Sequence, residues 1–227
     1  FNIALFGAGR IGQVHAVNIE RSPETTIYSL IEPYEVYADQ FCAQYPQTKR
    51  QTVEEAMADE NVHAVCICSS TDTHADLIER AAKAGKAIFC EKPIDLDLGR
   101  VRDCLGVVNQ HQVPFLLGFN RRFDPHFLSL KKALDDGQIG EPASVVITSR
   151  DPAPPPAQYS KSSGGMFRDM TIHDLDMARF ILGEDPITVT AHGSCKVDPA
   201  IGEAGDIDTS VVTLTFPSGA MVTIHNS

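Results

Sequence analysis

From residue 1 to about 118, short apolar runs alternate with helix-length amphipathic stretches. That rhythm is the one expected of βαβ units feeding a parallel sheet. Ile3-Ala4-Leu5-Phe6 predicts a strand, followed by a glycine loop and a helix to about Ile19. Further strands are predicted over residues 26–31, 62–68, 87–90 and 114–117, and further helices over 34–45, 72–84 and 96–110. Gly85 stops the 72–84 helix, and Glu91-Lys92-Pro93 ends the 87–90 strand.

After Gly118 the character changes. A helix is predicted over 127–136, closed by Gly137 and Gly140, and residues 143–149 then alternate with period two. The run Asp151-Pro152-Ala153-Pro154-Pro155-Pro156 is excluded from helix interiors and central strands, because proline lacks the backbone donor and fixes φ. A helix over 169–182 precedes two β-rich stretches, 187–197 and 209–224, the second broken by the turn residues Pro217-Ser218-Gly219. The expected architecture is an α/β, Rossmann-type parallel-sheet domain over 1–118. An α+β domain over 119–227 follows, with a predominantly antiparallel open sheet. The chain opens in an apolar run at Phe1 and stops at Ser227 just after a strand-like segment. Both ends read as cut, so the second domain and its sheet are expected to be truncated at the C-terminus.

Composition narrows the function classes. The chain has 227 residues, 43% hydrophobic and 22% charged, and 19 Lys+Arg stand against 30 Asp+Glu for a net charge of -11. With no basic block in that balance, nucleic acid is excluded as an expected partner. Six cysteines occur without a C-x-x-C pair, which suits a reducing cytoplasm better than a disulfide framework. Cys66 and Cys68, two apart in an apolar run, are expected on one strand face. No apolar stretch of about 18 residues is present, so a soluble cytoplasmic protein is expected.

The motif Gly7-Ala8-Gly9-Arg10-Ile11-Gly12 follows a strand and opens a helix. That is the context in which G-x-G-x-x-G binds a dinucleotide. Gly7 makes the tight turn, Gly9 admits the pyrophosphate, and Gly12 lets helix and strand close. The phosphates then meet the helix N-terminus at Arg10 and Ile11. An acid is expected about 20 residues on, and Glu32 stands there. It can accept from both ribose hydroxyls and repel a 2′-phosphate, which favours NAD over NADP; otherwise it is a loop acid beside Pro33.

Lys92, at a strand end, would hold its ammonium over the cofactor crevice, though loop lysines are common on surfaces. On a regular helix Asp169, His173 and Asp176 share one face, opposite a core stripe of Ile172, Leu175, Ala178 and Leu182. Such an aspartate can orient the imidazole, which is then poised to take a hydroxyl proton. The alternatives are an N-cap role for Asp169, a metal site around His173, or a plain surface stripe. Metal is the poorer of these, because no second His or Cys stands at ligand spacing. Ser69, Thr71 and His74 lie at another strand end, where hydroxyls and imidazole can touch the nicotinamide side or Asp72 and Thr73 can cap a helix. Asn120-Arg121-Arg122 can reach a polyhydroxylated substrate or form salt bridges at a domain junction.

These residues resemble the glucose–fructose oxidoreductase/inositol dehydrogenase/rhizopine-catabolism (Gfo/Idh/MocA) family over nearly the whole chain. The marks are the Gly7 loop, Thr71-x-x-His74, Glu91-Lys92-Pro93, Gly118-Phe119-Asn120-Arg121-Arg122-Phe123-Asp124, Ser149-Arg150-Asp151-Pro152, and the segment from Gly164 to Asp174. Together they are similar to its inositol 2-dehydrogenase branch, though that branch more often has Asp where Glu32 stands. The resemblance implies NAD as cofactor and oxidation of a cyclic polyol, first myo-inositol to its 2-ketone. The alternatives are a scyllo-inositol or sugar dehydrogenase on the same scaffold, or a non-catalytic NAD-binding regulator. It further implies a catalytic group of Lys92, Asp169 and His173, with His173 as base. Substrate contacts would come from these three with Asn120, Arg121 and Asp151, cofactor contacts would include Glu91 and Lys92, and no metal takes part. Packing of the second sheet against another subunit, often in a homotetramer, is implied as well.

Overall fold

The computed structural model describes residues 1–160 and 162–227. The chain divides into two compact units, Phe1–Gly118 and Phe119–Ser227.

The first unit runs β1 (Asn2–Phe6), α1 (Arg10–Arg21), β2 (Thr26–Ile31), α2 (Glu35–Gln44), β3 (Lys49–Arg50), α3 (Val53–Ala58), β4 (Ala64–Ile67), α4 (Thr71–Lys83), β5 (Ala87–Cys90), α5 (Leu98–His111) and β6 (Phe115–Leu117). Its strands form one parallel sheet in the order β3-β2-β1-β4-β5-β6. The order reverses at β1 and β4, which opens the crevice where such sheets take ligands. One core packs Phe6, Ile67, Ile78 and Ile88 together, and a second packs Leu5, Ile27, Leu30 and Phe41. Cys66 and Cys68 belong to this second core, their sulfurs 3.6 Å apart. β3 and α3 do not stand out in the apolar rhythm. β3 is two exposed residues, whereas α3 carries a complete capping box in Thr52 and Glu55.

The second unit opens with a 3-10 turn (Asn120–Phe123) and α6 (Pro125–Asp135). Asp124 caps α6 through the amides of His126 and Phe127 and Pro125 takes its first position, so the helix starts two residues before the apolar periodicity does. β7 (Ser144–Ser149), α7 (Ala157–Ser163), a π-helical turn (Phe167–Thr171), α8 (Ile172–Leu182), β8 (Thr188–Ser194), α9 (Pro199–Glu203), β9 (Thr209–Thr215) and β10 (Met221–Asn226) follow. The sheet order is β7-β10-β9-β8. Two of its pairings are antiparallel, but β7 and β10 run parallel, so the sheet is mixed. One sheet face, with Val212, Leu214, Val222 and Ile224, packs on Ala178 of α8. The other face leaves Val146, Val211 and Met221 exposed among threonines.

Candidate active site

In the first unit the site residues gather at the carboxyl ends of β1, β2, β4 and β5. Gly7 has φ +94°, and a Cβ there would come within 2.8 Å of the Cys68 carbonyl oxygen. A Cβ on Gly12 would lie 2.1 Å from the Gly7 oxygen, whereas one on Gly9 would meet nothing within 4 Å. The loop is therefore closed at Gly7 and Gly12 by the protein's own backbone and open at Gly9. As N-cap of α1, Gly9 offers no side chain to the first-turn amides. They are left for an anion such as a pyrophosphate.

Glu32 ties this loop to β2. Its Oε2 accepts from the Ala8 amide at 2.8 Å and its Oε1 from the Tyr34 amide at 3.0 Å. The carboxylate is thereby held beside the loop in one orientation. At the end of β4, Thr73 donates to the Ser70 carbonyl at 2.8 Å, so at 2.6 Å the Ser69 hydroxyl donates to Thr73. Ser70 is the N-cap of α4, without a side-chain cap bond, so neither Asp72 nor Thr73 caps it. Ser69 and Thr71 remain partly accessible.

His74 requires a correction. Its side chain is 1% exposed, with Nδ1 2.7 Å from the Pro93 carbonyl and Nε2 3.0 Å from the Ser69 carbonyl. Both nitrogens face carbonyl oxygens inside the fold and the ring is buried away from the crevice; it links the end of β4 to the turn after β5. In that turn Glu91 lies against His15 of α1, 2.6 Å from Nε2. Lys92 follows, half-buried. His15 did not register in the sequence reading, because it sits on α1 among apolar and polar residues with no recognisable spacing to Glu91.

In the second unit Asp169 sits inside the π turn and His173 in the first turn of α8. Thr171 stands at the N-cap of α8, so Asp169 is not its cap. The Tyr159 hydroxyl donates to Asp169 Oδ1 at 3.2 Å; this tyrosine lies just beyond the proline run and was not anticipated. Asp169 and Asp151 line one cavity of about 210 Å³ together with Pro154, Met166, Met170 and Asp206, and His173 is not part of that lining. Asn120 is exposed on the 3-10 turn.

The stripe predicted on α8 is also corrected. Asp176 does not face a cleft: Arg122 grips it with two bonds of 2.8 and 2.6 Å. Leu175, Ala178 and Leu182 of the predicted core stripe do pack on the sheet core, and Asp174, Asp176, Met177 and Ile181 are buried as well. Arg121 pairs with Asp174 and reaches Ser149 Oγ at 3.4 Å. Among the described residues, no group of three or more His, Cys, Asp or Glu side chains is arranged to hold a metal ion. No helix among them is long and apolar enough to cross a membrane.

Residues 1–119 match the family model described as an oxidoreductase family with an NAD-binding Rossmann fold, and residues 127–227 match that of the GFO/IDH/MocA C-terminal domain. The chain belongs to the GFO/IDH/MocA oxidoreductase family. It is 53% identical to an inositol 2-dehydrogenase of Rhizobium meliloti over 98% of this chain and 67% of that one. Identity to a myo-inositol 2-dehydrogenase of Thermotoga maritima is 46%, over 99% of this chain and 68% of the relative. A solved scyllo-inositol dehydrogenase from Lactobacillus casei, with bound NAD(H) and scyllo-inositol, superposes with a TM-score of 0.91 at 30% identity, covering 100% of this chain and 69% of that one. The chain thus spans about two thirds of the length of these relatives. The open Gly9, the uncapped α1 and the tethered Glu32 fit the NAD that the family binds.

Proposed function

We propose that this chain forms the cofactor-binding and catalytic portion of an NAD-dependent inositol 2-dehydrogenase, oxidising myo-inositol to 2-keto-myo-inositol. The reading is carried by Lys92 after β5 in the nucleotide-binding unit and Asp169 and His173 about the π turn, in a chain 53% identical to an inositol 2-dehydrogenase.

In this reading Gly7, Gly9, Arg10, Ile11 and Gly12 hold the pyrophosphate and Glu32 the ribose hydroxyls. Ser69, Thr71, Glu91 and Lys92 line the nicotinamide side. NAD supplies the hydride acceptor. His173 takes the hydroxyl proton as the C–H bond gives up its hydride, and the C–O bond becomes a ketone. Asp169, fixed by Tyr159, orients the imidazole and binds substrate hydroxyls. Lys92 donates a hydrogen bond to the reacting oxygen, where negative charge develops. Asp151, on the cavity it shares with Asp169, binds the ring's distal hydroxyls, while Asn120 and Arg121 line its approach. The scyllo epimer is the second candidate, favoured by the fold shared with the scyllo-inositol dehydrogenase.

The exposed strip of Val146, Val211 and Met221 supports burial of the second sheet against another subunit in a homotetramer. Six cysteines without a disulfide support a cytoplasmic setting.

The test is NADH formation by the purified full-length protein across a panel of inositols and sugars. Turnover is expected with myo-inositol, and His173→Ala is expected to abolish it while NAD still binds. Tight NAD binding with no turnover across the panel would overturn the reading.

A further inference from the structure

A buried polar clasp surrounds the junction between the π turn and α8. Thr171 ends the turn and is 0% exposed; Asp174 lies one helical turn on, also 0% exposed; Asn226, on β10, is 2% exposed. Asn226 Nδ2 donates to Asp174 Oδ2 at 2.7 Å, and Thr171 Oγ1 donates to Asn226 Oδ1 at 2.7 Å. The amide's orientation follows from chemistry. A carboxylate only accepts, so the NH2 must face Asp174, and the carbonyl oxygen is left for the threonine proton. The other oxygen of Asp174 accepts from Ser149 of β7 at 2.7 Å and from Arg121 of the 3-10 turn.

One side chain thus grips both sides of the junction: the π turn through Thr171 and the helix through Asp174. Asp169 lies two residues before Thr171, and His173 two residues after it. A π turn carries one residue more than an α turn and is poorer in packing, so it persists where tertiary contacts hold it. Were it to relax to regular α-helix, every side chain on one side of the junction would rotate relative to the other. Every donor and acceptor named here is satisfied, so the clasp is stiff.

We propose that Asn226 is a positioning residue: through Thr171 and Asp174 it holds the π turn and so sets how Asp169 is presented relative to His173. This rests on the catalytic reading of that pair given above. Thr171→Val is nearly isosteric and removes only the donor to Asn226; Thr171→Ser keeps it. Wild type and both variants are compared by kcat and KM with myo-inositol, and by the imidazole resonances of His173 in isotope-labelled protein. In Thr171→Val, kcat should fall about tenfold or more with KM within about twofold, and the His173 resonances should move. Thr171→Ser should restore both.

Loss of thermal stability in Thr171→Val with kcat and the His173 resonances unchanged would reduce the clasp to a structural role and overturn the proposal. The resonances report on the clasp even without turnover. If wild type is inactive on every polyol yet the resonances move and serine restores them, the polyol reading fails and the positioning stands. Should Thr171→Val unfold, Asn226→Asp, which keeps the acceptor for Thr171 but faces Asp174 with a second carboxylate, takes its place with the same readouts.

Discussion

His15 of α1 and Glu91 of the turn after β5 meet at 2.6 Å, Nε2 to Oε1, with both side chains largely buried. The helix that opens from the glycine loop is thereby joined to the turn that carries Lys92. Replacing His15 by Ala should loosen that turn without touching the glycine loop. The expected result is a fall in kcat of about threefold to tenfold, with NAD affinity by calorimetry nearly unchanged. Equal losses in both would place His15 in cofactor binding instead.

Gly9 and Gly12 should respond oppositely to alanine. At Gly12 the new methyl would sit 2.1 Å from the Gly7 oxygen, so helix and loop must separate. Gly12→Ala should lower the unfolding midpoint and cost NAD binding with it. A Cβ at Gly9 would meet nothing beyond its chain neighbours within 4 Å, so Gly9→Ala should fold as wild type while binding NAD more weakly. Thermal melts with and without NAD distinguish the two.

His74→Phe keeps the ring volume but removes the imidazole N–H that one of the Ser69 and Pro93 carbonyls accepts. Each orphaned buried acceptor costs on the order of 1–3 kcal/mol, so urea unfolding should show a loss of that order. Activity should fall as well, because the Lys92 turn loses its link to β4. A stable and fully active variant would contradict the linking role assigned to this ring.

Asp208 predicts an acid limb in stability. Burial works against its charge, but the amides of Lys196, Asp198 and Val197 and the Thr209 hydroxyl outweigh this and hold its carboxyl well below the usual carboxylate range. A lowered native pKa means stability that is present above the unfolded value, ~3.9, and lost as pH falls towards the native one. Asp208→Asn should therefore be less stable than wild type at neutral pH, with the difference shrinking in acid. Urea midpoints from pH 7 downward measure it.

Much of the first unit was legible because its signals are local. β2 and β5 are apolar runs bounded by turn residues, and they fall where the pattern places them. β3 is two charged residues whose strand character comes only from pairing with β2. α3 was legible in principle, since Thr52 and Glu55 spell a capping box. The second unit hid more. Asp174 is one acid among several on that helix, yet it is fully buried, because its partners come from Arg121, Ser149 and Asn226, distant in sequence. No periodicity reveals a carboxylate that tertiary partners neutralise. The π turn was missed for the same reason: 3.6-residue spacing runs through it, and only those partners say that an extra residue is accommodated.

The parallel pairing of β7 with β10 has a consequence for synthesis on the ribosome. Among the described residues β7 pairs with β10 alone, so it emerges early and waits for that partner while the chain that becomes β8 and β9 is made. The first unit, contiguous in sequence, can close well before then. Asn226, at the far end of β10, emerges after both residues it grips, Thr171 and Asp174. The π turn that carries Asp169 therefore acquires its hold only once β10 has been made, and a ribosome stalled before β10 carries a nascent chain in which that turn is still unclasped.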